Sequence, residues 1–497
     1  MKFVVLLKIC TLLLTLFILA GLVHSQNKSS PSLQKSGAAK VSQRSPEIEN
    51  LISIARTTPP EFAIDALIRI AASDKVDATW KQEILEEAFV LTANVQNPLR
   101  LRAIALPATS ADTRAYYLSS AFDLRLDRLS LRSRIVNQMS SIDKNRALRM
   151  LNQIPSRLLF KEVSCGDWMS YDVAYFYQTL QTISETAFDR KKIQQGERVQ
   201  FILPYVEGMT SPVQVGPITR LLVGTKLTFK ELLILDQAFV SALKKIDGDD
   251  RSFSVSLNED RTVHDVLKLI ELFRAEKSSY SELLNAVHDY LGRHLTGVRC
   301  QDNASHIRTE LPVAIKEANY LFPTHPFLLE DVQPARIEAS PKVESYFESK
   351  ESAELLLALQ RLNYDDNDEK IDEETRTTIQ WQQRVLDLLR MLETWNGKDT
   401  SFDEDVFNQK SVIYLSLISM TPSGTAADQI LASYIKLLSQ DEALNESRII
   451  WMLHANRLLR LISEKRGAER AGLLQHLNYS KSSVLQLYGE LIAARLF

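Results

Sequence analysis

The stretch "DKNRALRMLNQIP" (Asp143–Pro155) decides the fold class, because it contains every signal of a complete short helix. Asp143 is a typical N-cap residue, and Pro155 ends the helical pattern. Between them, apolar residues recur three and four positions apart, at Ala147, Leu148, Leu151 and Ile154. The preceding segment "LDRLSLRSRIVNQM" (126–139) is also helical in pattern. Together the two segments predict a helical hairpin.

The same helical period recurs along the rest of the chain, without a convincing run of the two-residue alternation that marks strands. Glycine is scarce, at 15 of 497 residues against about 7% in an average protein, which favours long helices with short connections. Further helices are predicted at Tyr171–Phe188, Pro217–Val223, Phe229–Lys245, Val263–Phe273, Ser281–His294, Ile307–Leu321, Thr377–Trp395, Lys410–Met420, Ala427–Leu438, Glu446–Ile462 and Ser483–Leu496. We therefore expect an all-α protein.

Paired helices with short connections predict irregular hairpins stacked as an α-solenoid, or superhelix. No tetratricopeptide, ankyrin or armadillo consensus recurs at a fixed period. A globular helical bundle and an α/α toroid are the alternative architectures. The toroid is less favoured, because such rings usually carry Gly- and Trp-rich loops and this chain has five Trp.

The N-terminal residues have the pattern of an export signal. Lys2 and Lys8 supply positive charge, and the apolar segment Ile9–Val23 is shorter than the roughly 20 residues of a membrane span. We expect a signal peptide at 1–25, with a retained N-terminal anchor as the alternative. The chain is then exported, and periplasmic or secreted. Residues 26–46 are polar and Ser-rich, which predicts a disordered tether.

The remainder divides at a proline-containing stretch. We expect an N-terminal helical-repeat domain at 47–321, a connection at 322–341 that contains four prolines, and a C-terminal helical domain at 342–497. No segment after the signal is apolar over 18 residues, so we expect no membrane span in the mature chain.

Two cysteines remain after the signal, in the similar contexts "VSCGDW" (Cys165) and "VRCQDN" (Cys300). In an oxidising compartment this favours one intramolecular disulfide between them. The long loop that it closes would be worth roughly 4–5 kcal/mol. Free buried thiols, an intermolecular bridge and a catalytic cysteine are the alternatives.

The segment "SYDVAYFYQTLQTIS" (170–184) places apolar residues on two sides of a predicted helix. The core stripe consists of Val173, Phe176, Tyr177, Leu180 and Ile183. Trp168, Tyr171 and Tyr175 lie on the opposite side if the helix already includes Trp168. This second face is either packed between neighbouring helices, or a possible binding surface for a partner or a glycan, or absent if Trp168 lies in a loop.

The sequence carries no strong signal for catalysis or metal binding. It lacks the G-x-S-x-G, H-E-x-x-H, C-x-x-C, P-loop and G-x-G-x-x-G motifs. His264 and His294 are weak candidate metal ligands, but His294 lies within an apolar stripe, where a hydrogen-bonded core residue is the commoner role. We expect no metal, no cofactor and no catalytic residue.

The segments "CGDWMSYDVAYFY", "DDRSF" and "YLGRHLTGVRCQD" together resemble a group of exported bacterial all-helical proteins for which no activity is known. The resemblance transfers no catalytic residue. A formal net charge of −3 argues against a nucleic-acid binder, which needs a basic excess. We expect a binding or scaffold module for a protein or an extracytoplasmic polymer, rather than an enzyme. The alternative is an all-α hydrolase or lyase that acts on an extracytoplasmic polymer.

Overall fold

A computed structural model describes most of the chain after residue 43. The described residues are 44–95, 99–100, 121–154, 169–170, 172–253, 262–301, 315–316, 318–328, 332–339, 349–365, 367, 369–398, 403–441 and 448–497. Residues Arg44–Phe497 form one compact unit. The predicted signal peptide and nearly all of the predicted tether lie outside the described residues.

Helices dominate the described residues, which confirms the all-α prediction. Those of the first half are α1 (Pro46–Ala55), α2 (Pro60–Ala72), α3 (Ala78–Leu91), α4 (Arg128–Ser140), α5 (Lys144–Asn152), α6 (Val173–Thr186), α7 (Arg190–Gln194), α8 (Glu197–Glu207), α9 (Val215–Gly224), α10 (Phe229–Leu243), α11 (Thr262–Ala275) and α12 (Ser281–Thr296). Those of the second half are α13 (Lys350–Asn363), α14 (Glu373–Arg376), α15 (Ile379–Thr394), α16 (Asp403–Met420), α17 (Thr425–Asp441), α18 (Arg448–Glu464), α19 (Gly467–Asn478) and α20 (Ser483–Ala493).

The helix predicted from Asp143–Pro155 is α5. The Asp143 Oδ1 atom accepts a hydrogen bond from the Arg146 amide at 3.0 Å, which satisfies one of the free N–H groups of the first turn. Ala147, Leu151 and Ile154 are buried. Together with α4, which contacts it, α5 forms the predicted hairpin.

Helix α8 was not predicted. Its interior contains Pro204, which normally interrupts a helix because proline lacks an N–H and its ring clashes with the preceding turn. Pro204 lies in the last turn, and the helix ends three residues later at Glu207. Gly196 at its N-cap adopts a φ of 80°, a left-handed conformation that glycine takes without strain.

Two short strand pairs accompany the helices, and the sequence pattern did not predict either. Strand β1 (Leu99–Arg100) pairs antiparallel with β2 (Met169–Ser170). Strand β3 (Val298–Gln301) pairs in parallel with β4 (Arg336–Ala339), which lies in the predicted proline-containing connection. Strands of two to four residues are too short for a two-residue alternation to emerge from the sequence.

Eight of the twelve helices given above for the first half form two rows of successive contacts. In one row, α2 contacts α4, α4 contacts α6, α6 contacts α9 and α9 contacts α11. In the other row, α8 contacts α10 and α10 contacts α12. Cross-contacts between α6 and α8, and between α9 and α10, join the rows. Each helix thus packs mainly on helices that are close to it in sequence.

The last helices of the chain pack against the first ones. Helix α20 contacts both α1 and α2, and α18 contacts the short 3₁₀ turn Ala121–Leu124. The ring centroids of Phe62 and Trp451 lie 6.0 Å apart in the core. This contact brings together residues from opposite ends of the described chain, which helix periodicity cannot predict.

A buried carboxylate reinforces this junction. The Asp65 side chain in α2 accepts hydrogen bonds from Arg69 Nε at 2.8 Å, from Tyr488 Oη in α20 at 2.6 Å and from Arg134 Nη2 in α4. We call Asp65, Arg69, Arg134 and Tyr488 the junction network. It ties three helices together around the buried carboxylate of Asp65.

Within the described ranges, no helix combines the length and the apolar character that crossing a bilayer requires.

Candidate functional site

A groove of about 680 Å³ opens between α5 and the α7–α8 pair. Its lining is mainly apolar and aromatic, with amide side chains along the edge. The lining residues are Leu148, Asn152, Ile154, Phe188, Gln195, Glu197, Gln200, Phe201, Pro204 and Tyr205. We call this feature the α5–α8 groove. Its volume falls within the range of about 300–1,000 Å³ that is usual for ligand sites.

The aromatic rings of the groove floor belong to a series of ring contacts that begins in the core. The ring centroids of Tyr177 and Phe176 lie 5.3 Å apart, and Phe176 lies 5.7 Å from Tyr205. Tyr205 in turn lies 5.9 Å from Phe201, which lies 5.4 Å from Phe188. Tilted and edge-on pairs at these distances are favourable. The floor is therefore supported by the core.

Hydrogen bonds hold the inner part of the floor. Tyr205 Oη donates to the Leu151 carbonyl oxygen of α5 at 3.4 Å, and Tyr177 Oη donates to the Tyr205 carbonyl oxygen at 3.2 Å. Gln214 Nε2 donates to Tyr177 Oη at 3.0 Å. Burial raises the pKa of Tyr205 to about 12, so its hydroxyl remains neutral at physiological pH. The floor is preformed and uncharged.

The edge of the groove presents amides. Asn152, Gln195 and Gln200 are exposed, and Glu197 is the charged residue among the lining side chains. An amide side chain both donates and accepts hydrogen bonds, as a peptide main chain does. The groove thus combines an apolar floor with an edge that can pair with a neutral polar backbone.

The predicted core stripe of α6 is confirmed, because all five residues are buried: Val173, Phe176, Tyr177, Leu180 and Ile183. The other predicted face is only partly described, because Trp168 and Tyr171 lie outside the described residues. Tyr175 is half-buried, with the Arg125 guanidinium carbon 4.0 Å from its ring centroid and Asn137 Nδ2 3.3 Å from its hydroxyl oxygen. Its ring is therefore covered within the protein, and the binding role of these three aromatics stays a prediction.

Two aspartates cap neighbouring helices beside Tyr175. Asp127 Oδ1 accepts the amides of Leu129 and Ser130 at the start of α4, and Asp172 Oδ1 accepts the Tyr175 amide at the start of α6. Burial, together with the nearby Asp172 carboxylate, raises the pKa of Asp127 to about 6. Burial also raises the pKa of Asp172. We call Asp127, Asp172 and Tyr175 the cap cluster.

The two weak metal candidates occupy different environments. His294 is fully buried, its ring stacked on Phe253 at a centroid distance of 4.7 Å, and burial lowers its pKa to about 4. His264 is exposed, with Nδ1 3.9 Å from Asp265 Oδ1. Across the described part of the chain, no three His, Cys, Asp or Glu residues lie close enough together to hold a metal ion. The structure does not bring the two histidines into one site.

The predicted disulfide cannot be traced in the described residues, because Cys165 lies outside them. Cys300 is in β3, opposite Glu338 of β4. The Cys165–Cys300 bond stays a prediction.

Sequence reasoning missed the groove, because five of its ten lining residues are on α8, a helix that was not predicted. Val199, Ile202 and Val206 recur on one face of that helix and are buried, so an apolar stripe was present in the sequence. The presence of Pro204 within the stripe hid it.

Comparison with known proteins gives no relative: no protein family, curated protein or solved structure matches the chain.

Proposed function

We propose that this protein is an exported helical-repeat module that binds an extended segment of a partner polypeptide in the α5–α8 groove. The observation that supports the proposal most directly is the lining of the groove. Aromatic rings supply the apolar contact area that dominates binding energy, and the exposed amides can pair with a peptide backbone. The export signal in the sequence supports a periplasmic or secreted location.

The positions of the carboxyl and imidazole groups whose pKa is shifted by burial also favour binding over catalysis. Enzymes usually place acids and bases of shifted pKa inside the cleft that holds the substrate. Here burial changes the pKa of Asp127, Asp236, His294 and His454, and none of these four residues lines the groove.

The two rows of helices support a superhelical arrangement of the first half. Stacked rows in which each helix contacts its neighbours in sequence are typical of an α-solenoid, and such rows present long surfaces for partners. Helix α20 contacts α1 and α2, so the C-terminal helices pack against the start of the first half. The proposed superhelix is therefore not an open-ended stack at its N-terminal end.

The test is a selection from a library of random 12-residue peptides, followed by fluorescence anisotropy with the strongest binders. Phe201→Ala removes a half-buried ring of the floor, and we expect it to weaken binding at least tenfold. Gln200→Ala removes an edge amide and is expected to weaken binding severalfold, the effect of about one hydrogen bond.

Tyr479→Ala provides a matched control, because this tyrosine is 80% exposed and does not line the groove. Circular dichroism checks that each variant remains folded. Equal binding by the wild type and by Phe201→Ala would refute the proposal, and so would failure of the library to yield a saturable binder.

The alternative, an all-α hydrolase or lyase, has less support. Asp127 in the cap cluster has a pKa of about 6, which would suit a general acid, but it is fully buried and does not line the groove. If a screen with extracytoplasmic polymers shows turnover, Asp127→Asn tests whether this carboxyl takes part. Turnover that survives this substitution would exclude the cap cluster as the catalytic site.

A further inference from the structure

A second cavity lies at the junction of the first and last helices, away from the α5–α8 groove. It has a volume of about 750 Å³, within the usual range for small-molecule sites. Three basic side chains line it, Arg69, Lys75 and Arg495, together with the ring of Phe497. We call it the junction cavity.

Arg69 has part of its hydrogen-bonding capacity unused. Its Nε donates to Asp65, and its guanidinium carbon lies 4.8 Å from the ring centroid of Phe497. Among the described residues, neither Nη atom has an acceptor. A guanidinium fixed through Nε and by a ring keeps its outer N–H groups available in a defined direction. Arg69 is thus a prepositioned donor on the cavity wall.

Arg495 is the second available cation. It is exposed, lines the cavity and forms no ion pair with any described residue. Its backbone has a φ of 62°, in the left-handed region that non-glycine residues rarely adopt. This conformation is common in the residue that follows the end of a helix: the Arg495 amide donates to the Ile492 carbonyl oxygen at 3.1 Å, and the Leu496 amide donates to the Leu491 carbonyl oxygen at 2.7 Å. The end of α20 therefore fixes the backbone of Arg495 beside the cavity.

The other charged residues limit the class of ligand. Glu47 balances the charge of Lys75, whose Nζ lies 3.2 Å from its carboxylate. Arg69 and Arg495 are then the cations that can direct N–H groups at a ligand. Asp74 and Glu47 also line the cavity, and their negative charges disfavour a dianion such as phosphate more than a monoanion. Phe497 offers an aromatic face to an apolar body.

We propose that the junction cavity binds a small organic monocarboxylate, with its carboxylate between Arg69 and Arg495 and its apolar part against Phe497. Arginine pairs with carboxylates through two parallel hydrogen bonds, which gives both strength and orientation. This site is separate from the peptide groove and does not depend on it.

The test is isothermal titration calorimetry of the purified protein with benzoate, an aromatic monocarboxylate, and with inorganic phosphate at matched ionic strength. We expect saturable one-to-one binding of benzoate and at least tenfold weaker binding of phosphate. Arg495→Gln should weaken benzoate binding at least tenfold. Arg466→Gln, which removes an exposed arginine at the start of α19 outside the cavity, should leave it unchanged.

A second variant separates ligand binding from folding. Arg495→Gly removes the same cation and also relieves the left-handed conformation, so it should weaken benzoate binding and raise the melting temperature. The proposal is overturned if benzoate does not bind saturably, if phosphate binds as tightly as benzoate, or if both Arg495 variants bind benzoate as the wild type does.

Discussion

Asp65 and Asp127 are two buried aspartates whose surroundings give them opposite acidities. Asp65 is 3% exposed; burial alone would raise its pKa, but Arg134 and Arg69 hold the pKa well below its usual range. Asp127 is fully buried and accepts two backbone amides, and its pKa rises to about 6. A buried carboxylate with cationic partners stays charged, whereas backbone amides alone do not compensate for the lost water.

The difference also separates two structural roles. The partners of Asp65 come from α2, α4 and α20, so its charge stabilises the junction between distant parts of the chain. The partners of Asp127 come from the first turn of the helix that it caps. The first aspartate joins helices, and the second begins one.

Asp65→Asn is expected to have the largest effect on the free energy of unfolding. Removing the carboxylate leaves two arginines at the junction without their anion, which typically costs about 3–5 kcal/mol. Urea unfolding followed by circular dichroism at pH 7 measures the loss. Asp74→Asn is the control, since Asp74 is exposed, and it should change the free energy of unfolding by less than about 0.5 kcal/mol. A loss below about 1 kcal/mol for Asp65→Asn would contradict the role of Asp65.

Tyr488→Phe should have an intermediate effect, because it removes one hydrogen bond to the charged Asp65 and keeps the ring. Such bonds contribute about 1.5–3 kcal/mol. Tyr479→Phe, at a tyrosine that is 80% exposed, is the matched control and should be neutral. If the two substitutions have equal effects on unfolding, Tyr488 does not stabilise the network through its hydroxyl.

Asp127→Asn should have the smallest effect on the free energy of unfolding. At pH 7.5 it should stabilise the protein, whereas the two preceding substitutions destabilise it. The raised pKa means that the folded protein resists ionisation of Asp127. The stability that this carboxyl contributes is therefore fully present below the unfolded pKa of about 4 and is lost as the pH rises through about 6. Asparagine keeps the cap and never ionises, so it should raise stability by about 1 kcal/mol at pH 7.5.

The pH dependence provides the check on that prediction. At pH 4, Asp127 is protonated in the folded protein, so the advantage of asparagine should disappear. Thermal unfolding of the wild type and of Asp127→Asn at both pH values measures the difference. A destabilised Asp127→Asn protein at pH 7.5 would show that Asp127, like Asp65, acts through its negative charge.

Local features of the fold could be predicted from the sequence because neighbouring residues determine them. Asp143 and the stripe that follows it predicted α5, and the apolar face of α6 from Val173 to Ile183 is buried as expected. Both predictions depend on residues within four positions of one another. Periodicity and capping chemistry are sufficient at that range.

The candidate sites could not be predicted in the same way. The groove requires α8, which Pro204 concealed, and its floor joins residues of three helices. The junction network joins Asp65 to Arg134 and to Tyr488, which are 69 and 423 positions away. Contacts over such separations depend on how helices pack, and helical period carries no information about them.

The most direct test of the proposed function is hydrogen–deuterium exchange of the protein with and without a selected peptide. If the α5–α8 groove is the partner site, the peptide should slow amide exchange in residues 144–154 and 188–205 and leave α2 and α20 unchanged. Phe201→Ala should abolish that protection at the same peptide concentration. Protection that appears elsewhere in the chain, or that survives Phe201→Ala, would contradict the account.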